Sequence, residues 1–136
     1  MLEDVPADFP FLFAVELGFA GIAGNAPDRF FYTGTERNLG PLEGQLDLQD
    51  TDLVGLVDGW LGLDVAINLS HAADIWTFPI QAVSQSEGGF ELVHQSATVV
   101  PHWPVRADNR GRWSVELTLA LDTTAAEAKR TAGMLA

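Results

Sequence analysis

Residues 11–19 read FLFAVELGF, a spacing that sets the fold class. Phe11, Phe13, Val15, Leu17 and Phe19 fall at every second position, with Leu12, Ala14, Glu16 and Gly18 between them. A period of two sends alternate side chains to opposite faces, which is the pattern of a strand and not of a helix. The alternation returns three times: at 42–48 on Leu42, Gly44, Leu46 and Leu48; at 63–69 on Leu63, Val65, Ile67 and Leu69; and at 113–121 on Trp113, Val115, Leu117, Leu119 and Leu121. Asp50 and Asp52 are expected to close the second run, and His71 with two alanines the third.

The segments between these runs are read from their turn chemistry. Residues 21–29 (GIAGNAPDR) crowd turn formers ahead of Phe30, Phe31 and Tyr32, predicting a loop that feeds a strand. Residues 34–41 form a second turn region. The run 53–62 (LVGLVDGWLG) suits a bent strand, a turn or a single helical turn, because of its internal glycines. Residues 74–83 (DIWTFPIQAV) are rich in strand formers, yet Pro79 has no N–H to give a central ladder, so an edge, a bulge or a sheet crossing is expected there. Glu87, Gly88 and Gly89 make a turn. Residues 90–105 are long and carry Pro101, predicting two collinear strand pieces with a bulge between them. Residues 106–111 turn again, and 123–135 predict a short terminal helix or a frayed tail, capped by Asp122 or Thr123. Seven or eight strands with almost no helix make the chain all-β, an antiparallel β-sandwich forming a single domain over 1–136.

Composition narrows the partners. Nineteen acidic residues against seven basic ones give a net charge of -12, a field that repels phosphate backbones and anionic lipid. Nucleic acid and membrane are therefore not expected partners, whereas neutral sugars feel no such repulsion. There is no cysteine, which removes disulfides and thiolate chemistry and fits a cytoplasmic setting. The acidic N-terminal stretch has no basic region of the kind that opens a signal peptide, and Glu16 interrupts its apolar run, so neither signal nor anchor is expected.

From Val57 onward the order VDGWLGL, IWTFPIQAVSQSEGGFELVHQ and VVPHW resembles the C-terminal domain of family 57 glycoside hydrolases, the α-amylase and 4-α-glucanotransferase group. Trp76, Pro79, Ser84, Glu87, Gly89, Phe90 and Gln95 carry the similarity, and FLFAVELGF and APDRFFY are also similar. The resemblance implies a sandwich of the galactose-mutarotase-like type, partial here, beside a catalytic (β/α) barrel that holds the acidic catalytic pair. The barrel is missing from this chain, and the similarity covers only the latter part of a longer domain. Hydrolysis and glucan transfer do not carry over; what does is an accessory role in starch or glycogen metabolism, beside a catalytic barrel domain or protein. Missing strands would leave sheet edges open, so a homo-oligomer is expected.

Candidate contact residues follow from sugar chemistry, since an indole face stacks on the apolar face of a sugar ring. Trp60, between glycines in an unassigned segment, is the best placed of the four tryptophans to contact an α-glucan or oligosaccharide. Trp103, held between Pro101 and Pro104, and its neighbour His102 are carbohydrate-contact candidates or packing residues. Trp113 is in phase with Val115 and Leu117 and is expected in the core, as is Trp76 with Phe78 and Ile80. Glu87 and His94 could instead exchange ring-opening protons in an aldose-epimerase-like enzyme if they converged in one pocket; alternatively Ser84, Ser86 and Glu87 simply satisfy turn donors. A third possibility is a structural oligomerisation module with no ligand. Asp47, Asp50, Asp52, Asp58 and Asp64 lack calcium-loop spacing, and His71, His94 and His102 lack metal-ligand spacing, so no metal and no cofactor are expected.

Overall fold

Alternating apolar residues need a second surface to bury against, and here one antiparallel sheet curls round to supply it. The computed structural model describes residues 1–20 and 26–135; the expected loop at 21–29 lies largely outside them. Among the described residues there are seven strands, β1 (Leu12–Ala14), β2 (Leu17–Ala20), β3 (Arg29–Thr33), β4 (Leu46–Asp58), β5 (Leu63–Ser86), β6 (Gly89–Pro104) and β7 (Leu117–Asp122), followed by one helix, α1 (Thr124–Leu135). The sheet order is β1-β6-β5-β4-β3, with β2 also on β6 and β7 also on β5. The fold is all-β and antiparallel, in keeping with a β-sandwich.

β5 organises the molecule. Its first part pairs with the end of β4 (Ile67 opposite Val54) and with β7 (Ile67 opposite Leu119), its second with the start of β4 (Ile75 opposite Leu48) and with β6 (Ile75 opposite Pro101). The odd-numbered face stays inward along both parts, burying Ile67, Leu69, Ala73, Ile75 and Thr77. Phe31, Leu42, Val54, Leu56, Ala97, Val99 and Trp103 complete the buried cluster, and Phe13, Val15, Leu17 and Phe19 pack against it. The phase read from FLFAVELGF therefore holds.

Several expected boundaries move. The strand expected to end at Asp50 and Asp52 continues to Asp58, because register shifts on either side of Thr51, with Asp50 at a positive φ, absorb the polar residues without ending the ladder. The run 53–62 is thereby a strand followed by a turn. The strand expected to stop at His71 runs on to Ser86. β6 is continuous to Pro104; the irregularity lies between Ile80 and Gln81, opposite Ser96 and His94, so Gln95 is the extra residue and not Pro101. Pro79 lies beyond the last β4 pair, Leu46 with Thr77, on an open edge where its missing N–H costs nothing.

Pro101 leaves its mark elsewhere. Ala14 opposes His102 and Leu17 opposes Val99 in one unbroken register, so Val15 faces Pro101. Val15 N–H still donates to the Pro101 carbonyl at 3.0 Å, but Pro101 has no N–H to return. The predicted single strand is thus divided into β1 and β2 at that one missing bond. The predicted strand at 113–121 shortens to β7, although Trp113 and Leu2 exchange backbone hydrogen bonds at 2.7 and 3.1 Å. No helix among the described residues is long and apolar enough to cross a membrane.

Candidate functional site

The four tryptophans have separate fates. Trp103 is 3% exposed; it stacks on Phe13 at 6.2 Å between ring centroids, lies 5.9 Å from Trp113, and donates its indole N–H to the His71 carbonyl. Trp113 joins that cluster edge-on to Phe13 at 5.6 Å, in keeping with the core position expected of it. Trp76 is a correction: it is 46% exposed. Its strand face, shared with Phe78 and Ile80, is the outer one, because Ile75 and Thr77 point inward. His102 is buried, with its ring 4.0 Å from that of Trp76 and Nδ1 3.2 Å from the Val100 carbonyl, so it backs the indole instead of meeting solvent. Neither His102 nor Trp103 offers a ligand an open face.

Trp60 is 71% exposed on the turn between β4 and β5. The backbone of that turn is held from inside the domain. Asp58, 2% exposed, takes the Leu61 N–H at 2.9 Å and Arg29 Nε at 3.3 Å on its Oδ1, while its carbonyl takes the Gly62 N–H at 2.8 Å. The Gly59 N–H donates to the Asp28 carbonyl at 2.7 Å. Gly62, at φ +72°, occupies a backbone conformation that disfavours residues with a Cβ. A large apolar ring is thus displayed from a fixed backbone.

Beside the turn lies a cleft of about 220 Å³ whose lining includes Gly59, Gly62, Asp64, Asp122 and Ala125. Asp64 and Asp122 are direct cross-strand partners on the outer face. Each has one oxygen committed: Asp64 Oδ1 accepts from the Tyr32 hydroxyl at 2.5 Å, and Asp122 Oδ1 from the Thr124 N–H at 2.9 Å. Thr124, through its side chain and then its backbone, holds the Asp122 carboxyl below the usual carboxylate range. Tyr32 is pushed well above the ordinary tyrosine range, by burial first and then by its bond to Asp64 and the charges of Asp64 and Asp122. The phenol therefore remains a donor. It reaches Asp64 by lying over its cross-strand neighbour Gly55, where an added Cβ would fall 2.5 Å from the hydroxyl and closer still to the ring. Two like charges face each other at the cleft, an arrangement that costs energy and suits a ligand rich in hydroxyl donors. A larger depression of about 430 Å³ lies between residues 6–11 and 104–107; three prolines and two phenylalanines line it, with one carboxylate, Asp8, and one cation, Arg106.

Glu87 and His94 are not brought together. Glu87 is exposed in the turn joining Ser86 to Gly89, and His94 lies opposite Gln81 near the base of the same hairpin. Five strand residues put about 17 Å between turn and imidazole. Neither His94 ring nitrogen has a hydrogen-bond partner among the described residues. No group of three or more His, Cys, Asp or Glu side chains among those residues could hold a metal ion. The Tyr32, Asp64 and Asp122 constellation escaped sequence reading because it spans three strands; the available signal was Gly55 inside an apolar run.

A family model described as Alpha-amylase/4-alpha-glucanotransferase, C-terminal, matches residues 1–117. Among curated proteins the chain is similar to Alpha-amylase 1 of Dictyoglomus thermophilum, 26% identical over 112 residues, which is 82% of this chain and 16% of that protein. The chain thus spans less than a fifth of its relative. No solved structure matches.

Proposed function

Because the chain belongs to the alpha-amylase/4-alpha-glucanotransferase C-terminal family, we propose that it is a non-catalytic accessory domain that contacts α-glucan and serves a catalytic domain. The supporting observation is the Trp60 turn: an exposed indole on a backbone fixed by Asp58, next to a cleft whose two carboxylates each keep one oxygen without a donor among the described residues. Stacking on Trp60 and hydroxyl donation to Asp64 and Asp122 are the two interactions a glucose unit would make there. Trp76, backed by His102, is a second exposed indole for a longer chain.

Isothermal titration with maltoheptaose and glycogen, with tryptophan fluorescence alongside, tests this. Saturable heat is expected from the wild type, weakened in Asp64→Asn and Asp122→Asn and lost in Trp60→Ala. Heat that survives Trp60→Ala would move the contact elsewhere, and a well-folded wild type with no heat would remove the glucan role altogether.

Association of two copies is a second proposal, carried by the β5–β6 hairpin beyond Gln81. Val83, Phe90 and Leu92 lie on one face of it, each about two-thirds exposed or more, and residues 81–93 carry only Glu87 and Glu91 as charges. Sedimentation of the wild type against Phe90→Ser and Leu92→Ser decides whether that face joins copies.

A further inference from the structure

The family match ends at residue 117, whereas α1 begins at Thr124, so the helix lies outside the matched segment. The contacts it makes converge on one place. The Ala126 N–H donates to the Gly62 carbonyl at 3.1 Å, and Lys129 Nζ donates to the Gly59 carbonyl and, at 2.9 Å, to that of Trp60. An added Cβ at Gly62 would come within 2.7 Å of the Ala125 carbonyl carbon, so helix and turn approach to a distance that only glycine permits.

Lys129 is the only lysine in the chain, set among nineteen acidic residues. An exposed ammonium in such a field has many carboxylates to choose from, and its Coulomb preference is for one of them. It instead donates hydrogen bonds to two successive carbonyls of the turn that displays the indole. Removing one N–H from an orphan position in the first helical turn, or one ammonium from an exposed site, costs the helix little. What such a change would disturb is the orientation of the turn.

We infer that α1 is a clamp for the Trp60 turn, with Lys129 as the positioning residue that fixes the indole from outside while Asp58 fixes it from within. The clamp deepens, and rests on, the reading of Trp60 as a glucan contact, but its structural half is testable without any sugar. The 136-residue chain labelled with 5-fluorotryptophan gives one ¹⁹F resonance per tryptophan, the Trp60 signal being assigned with Trp60→Phe. In Lys129→Ala that signal should shift and narrow as the turn loosens, while those of Trp76, Trp103 and Trp113 stay in place and report an intact fold. Lys129→Arg should restore it, and Arg130→Ala, which removes the adjacent cation, should leave it unmoved. With maltoheptaose, Lys129→Ala should bind about three- to tenfold more weakly than wild type. A Trp60 resonance that does not respond to Lys129→Ala overturns the clamp. A response in the resonance with no sugar heat in the wild type upholds the clamp and refutes the glucan reading, so the two failures are distinguishable.

Discussion

Gly55 is where a single methyl group should test the candidate site most sharply. Tyr32 lies across it to reach Asp64, and a Cβ there would collide with the phenol ring. Forcing a methyl into that contact costs about 1–3 kcal/mol. Displacing the phenol adds about 1 kcal/mol for its hydrogen bond to a charged acceptor, discounted because the pair is partly exposed. Against this, replacing a strand glycine returns about 0.5–1 kcal/mol. Gly55→Ala should therefore destabilise by about 1–3 kcal/mol, read as a lower urea midpoint at unchanged slope from tryptophan fluorescence. In a Tyr32→Ala background the obstruction is gone, and the same substitution should be neutral or stabilising by up to about 1 kcal/mol. Tyr32→Phe, which keeps the ring, isolates the hydrogen bond. Equal effects of Gly55→Ala in both backgrounds would show that Tyr32 does not lie over Gly55, and the support for Asp64 would fall with it.

Tyr32 is the only tyrosine, so its ionisation is directly visible at 295 nm. Its folded pKa is raised above an unfolded value near 10, so the stability it contributes is complete below pH 10 and is lost as pH rises beyond it. Native protein should show less tyrosinate absorbance at pH 11 than the urea-unfolded chain, and Tyr32→Phe should flatten the alkaline fall in stability; absorbance rising with a midpoint near 10 in folded protein would contradict this. Asp58→Ala strips Arg29 and the Leu61 N–H of a buried acceptor and should cost about 2–4 kcal/mol in urea unfolding, with Asp58→Asn milder. Trp103→Ala should cost about 3–5 kcal/mol, whereas Trp60→Ala should leave stability within about 0.5 kcal/mol. A comparable drop in Tm for both would place Trp60 in the packing.

What was legible in the sequence was local. The inward phase of Phe13, Val15 and Leu17 and the core place of Trp113 follow from period, while ring constraint and propensity narrowed Pro79 to an edge, a bulge or a crossing and residues 123–135 to a helix or a frayed tail. The continuity of β4 and β5 was not, since Asp50, Asp52 and His71 look like stops until a bulge absorbs them. Trp76 was misplaced because Ile75 and Trp76 are both apolar, and alternation cannot choose between two apolar faces. Trp60 stood out because the glycines around it mark a turn, but nothing in its neighbourhood announces Lys129, 69 residues on, or the reach of Tyr32 over Gly55 to Asp64. Contacts made across several strands leave no period to read.

The single long strand β5 also bears on the order in which the chain assembles. β4, β5 and β6 are consecutive and joined by tight turns, so their pairings close short loops and can form early. The ladders that bring Leu12–Ala14 and Leu17–Ala20 onto β6, and the bridge from Leu2 to Trp113, each span about 75 residues or more of intervening chain. The aromatic cluster of Phe13, Trp103 and Trp113 is thus expected to be completed late, when the residues around β1 dock onto the meander. Under native conditions the amides of β1 and β2 should exchange with deuterium ahead of those in the middle of β5, because the segment that arrives last is also the cheapest to release.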